Sequence, residues 1–423
     1  MGAWTGDRRN PKNSVFFSSP ICLEPSPERD SLFESEKMIE RSLFTPEHEA
    51  FRDSFRRFMD KEIAPFHADW EEQGYVDRAV WNRAGANGFL CMTMPEEYGG
   101  AGADKLYSVI QMEELSRAGF TGIGYGLHNE IVAPYILRYG TAEQKSRYLP
   151  KFASGEMIGA IAMTEPAAGS DLQGVKSTAI KQADGSYLLN GSKTFITNGW
   201  HADVVITVAK TNPAAGAKGT SLVMVERGMK GFSVGKRLKK LGLKAQDTSE
   251  LFFDNVTLCA DAVLGGPPQE NKGFICLMEQ LPWERLQIAI GAMAAAQAAI
   301  DWTVAYVKER KVFGNSVASY QNTRFTLAEL QTQVQIGQVF VDKCIALLLD
   351  DKLDTATASM AKYWCSDLQC KVMDECVQLF GGYGFMWEYP ITRAYADARV
   401  QRIYGGTNEI MKEVITRAMG LGK

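Results

Sequence analysis

The hydrophobic pattern of this 423-residue chain changes its period twice, and these two changes limit what the chain can fold into. After Thr45-Pro46, an N-cap followed by proline at the first helical position, an apolar series at helical spacing begins at Phe51. Short β-branched and aromatic runs replace it from about Gly159, and the helical period returns from about Gly273. The pattern predicts a multi-domain α+β chain with a flexible N-terminal arm at 1–43, an N-terminal helical domain at 44–158, a middle β-barrel domain at 159–272 and a C-terminal four-helix bundle at 273–423.

The middle part contains a strong short-range turn signal, Asn190-Gly191, within the segment 187–196. We expect a β-hairpin whose turn lies at these two residues. Further runs between turn residues predict short strands at 204–208, 221–225, 232–234 and 251–256. Together they are typical of a small all-β domain.

The last part has three long segments of helical periodicity, at 285–313, 323–349 and 357–380, and a shorter one at 408–419. In the third segment, apolar residues from Met360 to Phe380 recur every four positions, which indicates a bundle core. The apolar stretch 286–300 is interrupted by Gln287 and Gln297, and it is shorter than the roughly 20 residues that cross a bilayer. We therefore expect a buried helix there and no integral membrane segment.

Composition argues against several classes of function. The formal net charge of −4 gives no general attraction to nucleic acid, so no nucleic-acid partner is expected. The basic run at 236–240 is interpreted as a solvated strand edge, with ligand phosphates or nucleic acid as alternatives. The eight cysteines form no Cys-x-x-Cys and the four histidines are scattered, so no metal site is predicted. Free cysteines fit a reducing compartment, either a bacterial cytoplasm or the mitochondrial matrix.

Two segments point to the chemistry: Ala-Met-Thr-Glu-Pro-Ala-Ala-Gly-Ser-Asp-Leu-Gln-Gly at 162–174 and Lys-Thr-Phe-Ile-Thr-Asn-Gly at 193–199. Small residues let backbone amides approach a ligand, and the hydroxyls of Thr164 and Ser170 can bond to a polar ring or a phosphate. The chain has no complete Gly-x-Gly-x-x-Gly and no P-loop. The pair of segments resembles the flavin-contacting signature of the acyl-CoA dehydrogenases, most nearly the long-chain enzymes. The resemblance runs from about Phe44 to the C-terminus.

The resemblance implies FAD as the cofactor, extended between the β domain and the bundle of a homotetramer (a dimer of dimers) and reaching a neighbouring subunit. It assigns the flavin and its phosphates to Met163, Thr164, Ser170, Phe195 and Thr197. It assigns contacts from the adjacent subunit to Arg310, Phe313 and Gln321, the adenosine end to Gln378, Gly381 and Gly382, and further contacts to Thr407 and Glu409. A guanidinium at Arg310 would offer a bidentate fork to pyrophosphate.

The catalytic base is expected at a less common position. Many acyl-CoA dehydrogenases carry it in Tyr-Glu-Gly-Thr, but this chain reads Tyr-Gly-Gly-Thr at 404–407, and the glycine Gly405 cannot abstract a proton. Long-chain and isovaleryl-type members take the carboxylate from the first long bundle helix, in a motif that ends Glu-Arg. Leu-Pro-Trp-Glu-Arg-Leu at 281–286 matches that motif, so Glu284 is the predicted base. The structural alternative is a carboxylate that merely favours a helix start.

The implied reaction is the α,β-dehydrogenation of a long-chain or branched fatty acyl-CoA in fatty acid β-oxidation. Glu284 takes the α proton while the β hydrogen leaves as hydride to the flavin N5, and the Gly405 N–H polarises the thioester carbonyl. Arg285 is expected to hold the CoA part, with Ser170 and Tyr404 bordering the acyl channel. Electrons then pass to an electron-transfer flavoprotein. Two alternatives stay open, a non-catalytic acyl-CoA or flavin-binding homologue and an acyl-CoA oxidase that uses oxygen.

Overall fold

The computed structural model describes residues 39–421, so most of the predicted N-terminal arm, residues 1–38, lies outside the described residues. The first described part is helical. Its helices are α1 (Pro46–Glu62), α2 (His67–Gln73), α3 (Arg78–Ala86), α4 (Lys105–Ala118), α5 (Tyr125–Leu127), α6 (Ala133–Tyr139) and α7 (Ala142–Ala153). Thr45 caps α1 as predicted, and a π-helical turn at His128–Val132 joins α5 to α6.

The middle part is a single seven-stranded sheet. Its strands are β1 (Gly159–Ala162), β2 (Thr178–Lys181), β3 (Tyr187–Thr197), β4 (Val204–Lys210), β5 (Thr220–Glu226), β6 (Phe232–Arg237) and β7 (Thr248–Leu258). The order is β1-β4-β2-β3-β7-β6, with β5 paired to β4. β4 pairs in parallel with β1 and β2, and the other pairs are antiparallel. The predicted all-β character is confirmed, and the sheet is curled.

The predicted hairpin at Asn190-Gly191 is wrong, because β3 runs through both residues without a turn. Gly191 lies instead at an irregularity in the pairing of β3 with β7, where its φ is +148°. A Cβ there would lie 2.2 Å from the Ser177 hydroxyl oxygen, so glycine serves close packing at this position. The true turn between β2 and β3 contains Asp184-Gly185, where Gly185 has a φ of +86°.

The last part is helical again. It contains α8 (Gly273–Glu309), a small hairpin of β8 (Lys311–Val312) and β9 (Asn315–Ser316), then α9 (Gln321–Leu349), α10 (Thr355–Phe380), α11 (Pro390–Ala398) and α12 (Asn408–Ala418). The prediction for the first long helix is wrong at both ends, since α8 starts at Gly273 rather than 285 and ends at Glu309 rather than 313. Pro282 lies inside α8, where burial of the next four residues outweighs the lost backbone hydrogen bond.

α8 is the central helix of the C-terminal core. Leu286, Met293 and Ile300 are at most 2% exposed and pack in one cluster with residues of α9 and α10. Within residues 39–421, α8 is the only helix with the length and hydropathy of a membrane span, and 56% of its most apolar window is buried inside the protein. The buried helix expected at 286–300 is thus confirmed. The division into domains at 158/159 and 272/273 stays a prediction.

Candidate active site

The two sequence motifs meet beside the sheet. The Thr194 N–H donates to the Thr164 carbonyl at 2.9 Å, and Lys193 Nζ donates to the Met163 carbonyl at 3.0 Å. Lys193 also forms a buried ion pair with Glu165 at 2.9 Å, and Glu165 accepts two backbone N–H groups at 176 and 177. Glu165 and Lys193 therefore hold the motifs together from inside the protein.

The side chains of the β domain that are predicted to contact the flavin are exposed or half-buried. Phe195 is 66% exposed with a φ of +59°, beside a register shift between β3 and β7. Such backbone is rare outside glycine and indicates a conformation fixed by its surroundings. Met163, Thr164 and Thr197 are half-buried, and Ser170 is exposed in the loop between β1 and β2. An aromatic ring and hydroxyls are thus available to a ligand along this edge of the sheet.

A glycine-rich segment at 122–126, a turn followed by the start of α5, lies between that edge and α8. Asn198, directly after β3, donates from Nδ2 to the Gly124 carbonyl at 3.4 Å. On the other side of the turn, a Cβ on Gly126 would lie 3.9 Å from Oε1 of Gln287. Gln287 lies within one turn of Glu284 on α8. The end of β3 is therefore linked, through this turn, to the part of α8 that carries the predicted base.

Glu284 is a buried carboxyl group, 9% exposed, whose Oε1 accepts a hydrogen bond from the Tyr135 hydroxyl at 3.1 Å. Burial raises its pKa to about 7, against smaller opposing effects of Tyr135 and of the Arg285 charge. A general base works best when its pKa is near the working pH, so this environment suits proton abstraction. α8 begins at Gly273, well before Glu284, and so the helix-start alternative is wrong.

Gly405 lies against the same stretch of α8. A Cβ at this position would lie 2.4 Å from Cδ1 of Ile288, which follows Glu284 by one helical turn. Gly405 has a φ of +64°, a conformation that glycine adopts without strain. The carbonyl of the next residue accepts from Lys362 Nζ at 2.7 Å, and Lys362 also donates to Asn408 Oδ1 at 2.9 Å. Gly405 thus lies about one helical turn along α8 from Glu284, and Lys362 anchors its loop.

The neighbouring predicted residues differ in how they could meet a ligand. Arg285 is 4% exposed, and its Nη1 donates to the Ser359 hydroxyl at 3.0 Å. Its Nε has no hydrogen-bond partner among residues 39–421. Tyr404 is 39% exposed. Thr407 caps α12 through its side-chain oxygen, and Glu409 is exposed in the first turn of that helix. The CoA-binding role predicted for Arg285 stays a prediction.

The remaining predicted cofactor contacts lie at the other end of the bundle. The Arg310 guanidinium is 5.5 Å from the ring of Tyr383, in the loop that follows α10. Phe313 is 96% exposed, and a Cβ on Gly381 or Gly382 would meet no atom of the described part of the chain within 4 Å. Gln321 and Gln378 are also exposed. At 1.5 Å per residue, α8 from Glu284 to its end is about 38 Å long, so the two groups of predicted contacts are far apart within one chain.

Three features of the site were missed by sequence reasoning: Tyr135, Lys362 and the structural pairing of Lys193 with Glu165. Lys193 and Glu165 lie inside the two motifs, so a charge pair between them was a readable signal. Tyr135 and Lys362 are far along the chain from Glu284 and Asn408, the residues to which they donate, and no local pattern marks either of them.

Three family models match the chain: the acyl-CoA dehydrogenase N-terminal domain at residues 45–156, the middle domain at 160–256 and the C-terminal domain at 271–420. The mitochondrial long-chain specific acyl-CoA dehydrogenase of Mus musculus is 53% identical over 379 residues, 89% of this chain and 87% of that protein. A crystal structure of an acyl-CoA dehydrogenase from Geobacillus kaustophilus is 47% identical with a TM-score of 0.87, covering 90% of this chain and all of that one. An acyl-CoA dehydrogenase from Bacillus anthracis, solved in complex with FAD, is 31% identical with a TM-score of 0.84, covering 90% of this chain and 69% of that one.

Proposed function

The chain belongs to the acyl-CoA dehydrogenase family, and from this premise we propose that it introduces an α,β double bond into a long-chain or branched fatty acyl-CoA with Glu284 as the base. Family membership makes it an acyl-CoA dehydrogenase, an FAD-dependent oxidoreductase of fatty acid β-oxidation. One observation carries the assignment of the base. Glu284 is a buried carboxyl group with a pKa of about 7, and it lies one turn from the residue that meets Gly405.

The residues present fit FAD. A flavin ring has apolar faces and an edge of hydrogen-bonding atoms. The exposed ring of Phe195 suits the faces, and the hydroxyls of Thr164 and Thr197 suit the edge. Arg310 suits a pyrophosphate, and the open space at Gly381 lets backbone amides approach. Bound FAD supplies the acceptor for the hydride from the β carbon.

The protein's own part in the reaction is proton abstraction and polarisation. Glu284, ionised above its pKa, removes the α proton, and the negative charge that develops on the thioester oxygen needs a donor. We assign that donor to the backbone N–H of Gly405, whose loop is fixed by Lys362. The acyl chain would exclude water from the carboxylate and make it more basic.

We propose a homotetramer in which each cofactor contacts two subunits. The two groups of predicted FAD contacts, near Glu284 and near Arg310, lie at opposite ends of the bundle within one chain. A second subunit that presents its Arg310 surface to the Glu284 end would complete one site. The electron acceptor in this proposal is an electron-transfer flavoprotein.

The proposed substrate range rests on two observations. The Mus musculus relative is named as specific for long chains. The motif has glycine at 405 where many relatives have glutamate, so less bulk stands next to the acyl chain. We propose the bacterial cytoplasm as the compartment, with the mitochondrial matrix as the alternative.

The test is an anaerobic spectral titration of the FAD-loaded protein with acyl-CoAs of graded length and branching. We expect long or branched chains to bleach the flavin absorbance and Glu284→Gln to abolish the bleaching while keeping the flavin bound. The matched control is Glu279→Gln on the same helix, because Glu279 is 44% exposed and pairs with Arg138 at 3.0 Å. This control should bleach like the parent protein.

Three outcomes would contradict the proposal. If no acyl-CoA bleaches the parent protein, the chain is a non-catalytic binding homologue. If the bleached protein reoxidises rapidly in air and forms hydrogen peroxide with each turnover, it is an oxidase. A strict preference for short straight chains would contradict the proposed substrate range.

A further inference from the structure

Glu284 has a single hydrogen-bond partner within residues 39–421, the hydroxyl of Tyr135. The bond is 3.1 Å long and joins the Tyr135 oxygen to Oε1 of the carboxyl group. Tyr135 is fully buried, with 0% exposure, and its hydroxyl has no other hydrogen-bond partner in that range. The second oxygen of Glu284, Oε2, is left without a partner from the described part of the chain.

The position of Tyr135 is fixed by the segment that precedes it. The π-helical turn at His128–Val132 lies directly before α6, and such turns change which residues a helix presents to its neighbours. Within this turn, buried Glu130 accepts from Nε1 of Trp283 at 3.2 Å and from Lys105 Nζ at 2.6 Å. The turn is thus bonded to the residue before Glu284, and the following helix places Tyr135 on Glu284 itself.

We propose that Tyr135 is a positioning residue for the base: its O–H holds Oε1 of Glu284, so that Oε2 is the oxygen that receives the α proton. This inference rests on the function proposed for Glu284. A buried carboxylate with no fixed partner would populate several rotamers, and few of them would aim at one carbon atom. One hydrogen bond from a rigid, fully buried ring selects among them.

The same bond acts on the charge of the base. A donor to a carboxylate favours the ionised form, so Tyr135 offsets part of the effect of burial, which raises the pKa of Glu284. Burial also raises the pKa of Tyr135 well above its ordinary value, so Tyr135 keeps its proton and remains a donor. The donor is therefore present throughout the pH range in which the base titrates.

Other titratable groups surround the pair. Tyr139 lies on α6 with Tyr135, and Arg285 lies beside Glu284 on α8. From other elements come Glu130, which is paired with Lys105, and Lys362 of α10 beyond Arg285. Among them Arg285 favours the ionised form of Glu284, and its effect should be the same with or without the Tyr135 hydroxyl.

The experiment compares the pH dependence of anaerobic flavin bleaching by acyl-CoA in the FAD-loaded parent and in Tyr135→Phe. Loss of one hydrogen bond to a charged group should move the acid limb of the rate profile up by about one pH unit. At pH 6 this shift lowers the rate roughly tenfold. At pH 9 the carboxyl group is ionised in both proteins, so only the pH-independent loss from the less well held carboxylate remains. The matched control is Tyr139→Phe, because the Tyr139 hydroxyl donates to Glu279 at 2.8 Å and not to Glu284.

An acid limb that stays in place in Tyr135→Phe overturns the inference, as does an equal shift in Tyr139→Phe. This test can fail independently of the test of the base. If Glu284→Gln still bleaches the flavin, the assignment of Glu284 is wrong, whereas an unmoved acid limb in Tyr135→Phe contradicts only the role of Tyr135. If Tyr135→Phe loses FAD or fails to fold, 3-fluorotyrosine incorporated at position 135 replaces it. The fluorinated ring keeps the O–H and strengthens it as a donor, so the acid limb should move down, and no movement overturns the inference.

Discussion

Glu284 should reduce the stability of the protein at the pH where it is catalytically useful, and Glu284→Gln should remove that effect. Its pKa is raised from the ordinary 4.5 to about 7, chiefly by burial. Between these pH values the folded protein keeps the proton of Glu284, which the unfolded chain has released. The contribution of Glu284 to the free energy of unfolding therefore falls as pH rises from 4.5 to 7 and is then constant. The two pKa values differ by about 2.5. At about 1.4 kcal/mol for each unit of pKa, the free energy of unfolding falls by about 3–4 kcal/mol.

The assay is denaturant unfolding of the FAD-loaded parent and Glu284→Gln between pH 5 and pH 8.5. Glutamine keeps an oxygen that can accept from Tyr135 but cannot ionise. The variant should be nearly as stable as the parent at pH 5 and about 3 kcal/mol more stable at pH 8, as an order of magnitude. The exposed Glu279→Gln should show no such pH-dependent gain. A stability difference that does not change with pH would refute the reasoning about burial.

Three further predictions concern the frame of the site. Lys193→Met leaves the buried carboxylate of Glu165 without its cation and should lower the free energy of unfolding by about 3–5 kcal/mol. Lys181→Met, which breaks an exposed pair with Glu270, should lower it by less than about 1 kcal/mol. Denaturant unfolding measures both. Gly405→Ala adds a Cβ against Ile288 at a residue with positive φ, so it should slow flavin bleaching and lower the free energy of unfolding by about 1–2 kcal/mol. An unchanged bleaching rate would contradict the close approach of Gly405 to α8. Lys362→Met frees the Gly405 loop and should slow bleaching with little loss of flavin, measured by stopped-flow absorbance, and a normal rate would exclude the anchoring role.

Long periodic segments were predictable from the sequence because burial repeats along them. α9, α10 and α12 begin and end within a few residues of the predicted bounds, and the short strands fall where β-branched runs suggested. The predicted hairpin is wrong because of a tertiary contact: Gly191 is needed for close packing against Ser177 and not for a turn. The predicted start of α8 at 285 is wrong because the helix continues through Pro282, where burial of the next four residues holds it together.

The site was predictable only as far as one motif reached. Glu284 was found because a glycine stands at 405 and a carboxylate stands at the other position that the family uses. Its environment was not predictable, because Tyr135 and Lys362 act across large separations in the chain. Contacts of that kind depend on how helices pack, and a single sequence carries no local sign of them.

The most direct test of the role of Glu284 is exchange of the α hydrogens of an acyl-CoA that has no β hydrogen, such as a long-chain 3,3-dimethylacyl-CoA, in deuterated water. Dehydrogenation is impossible for this ligand, so deuterium uptake at the α carbon, measured by mass spectrometry, reports proton abstraction alone. We expect uptake with the parent protein and a loss of at least about a hundredfold with Glu284→Gln. Uptake at the parent rate in Glu284→Gln would show that another group is the base.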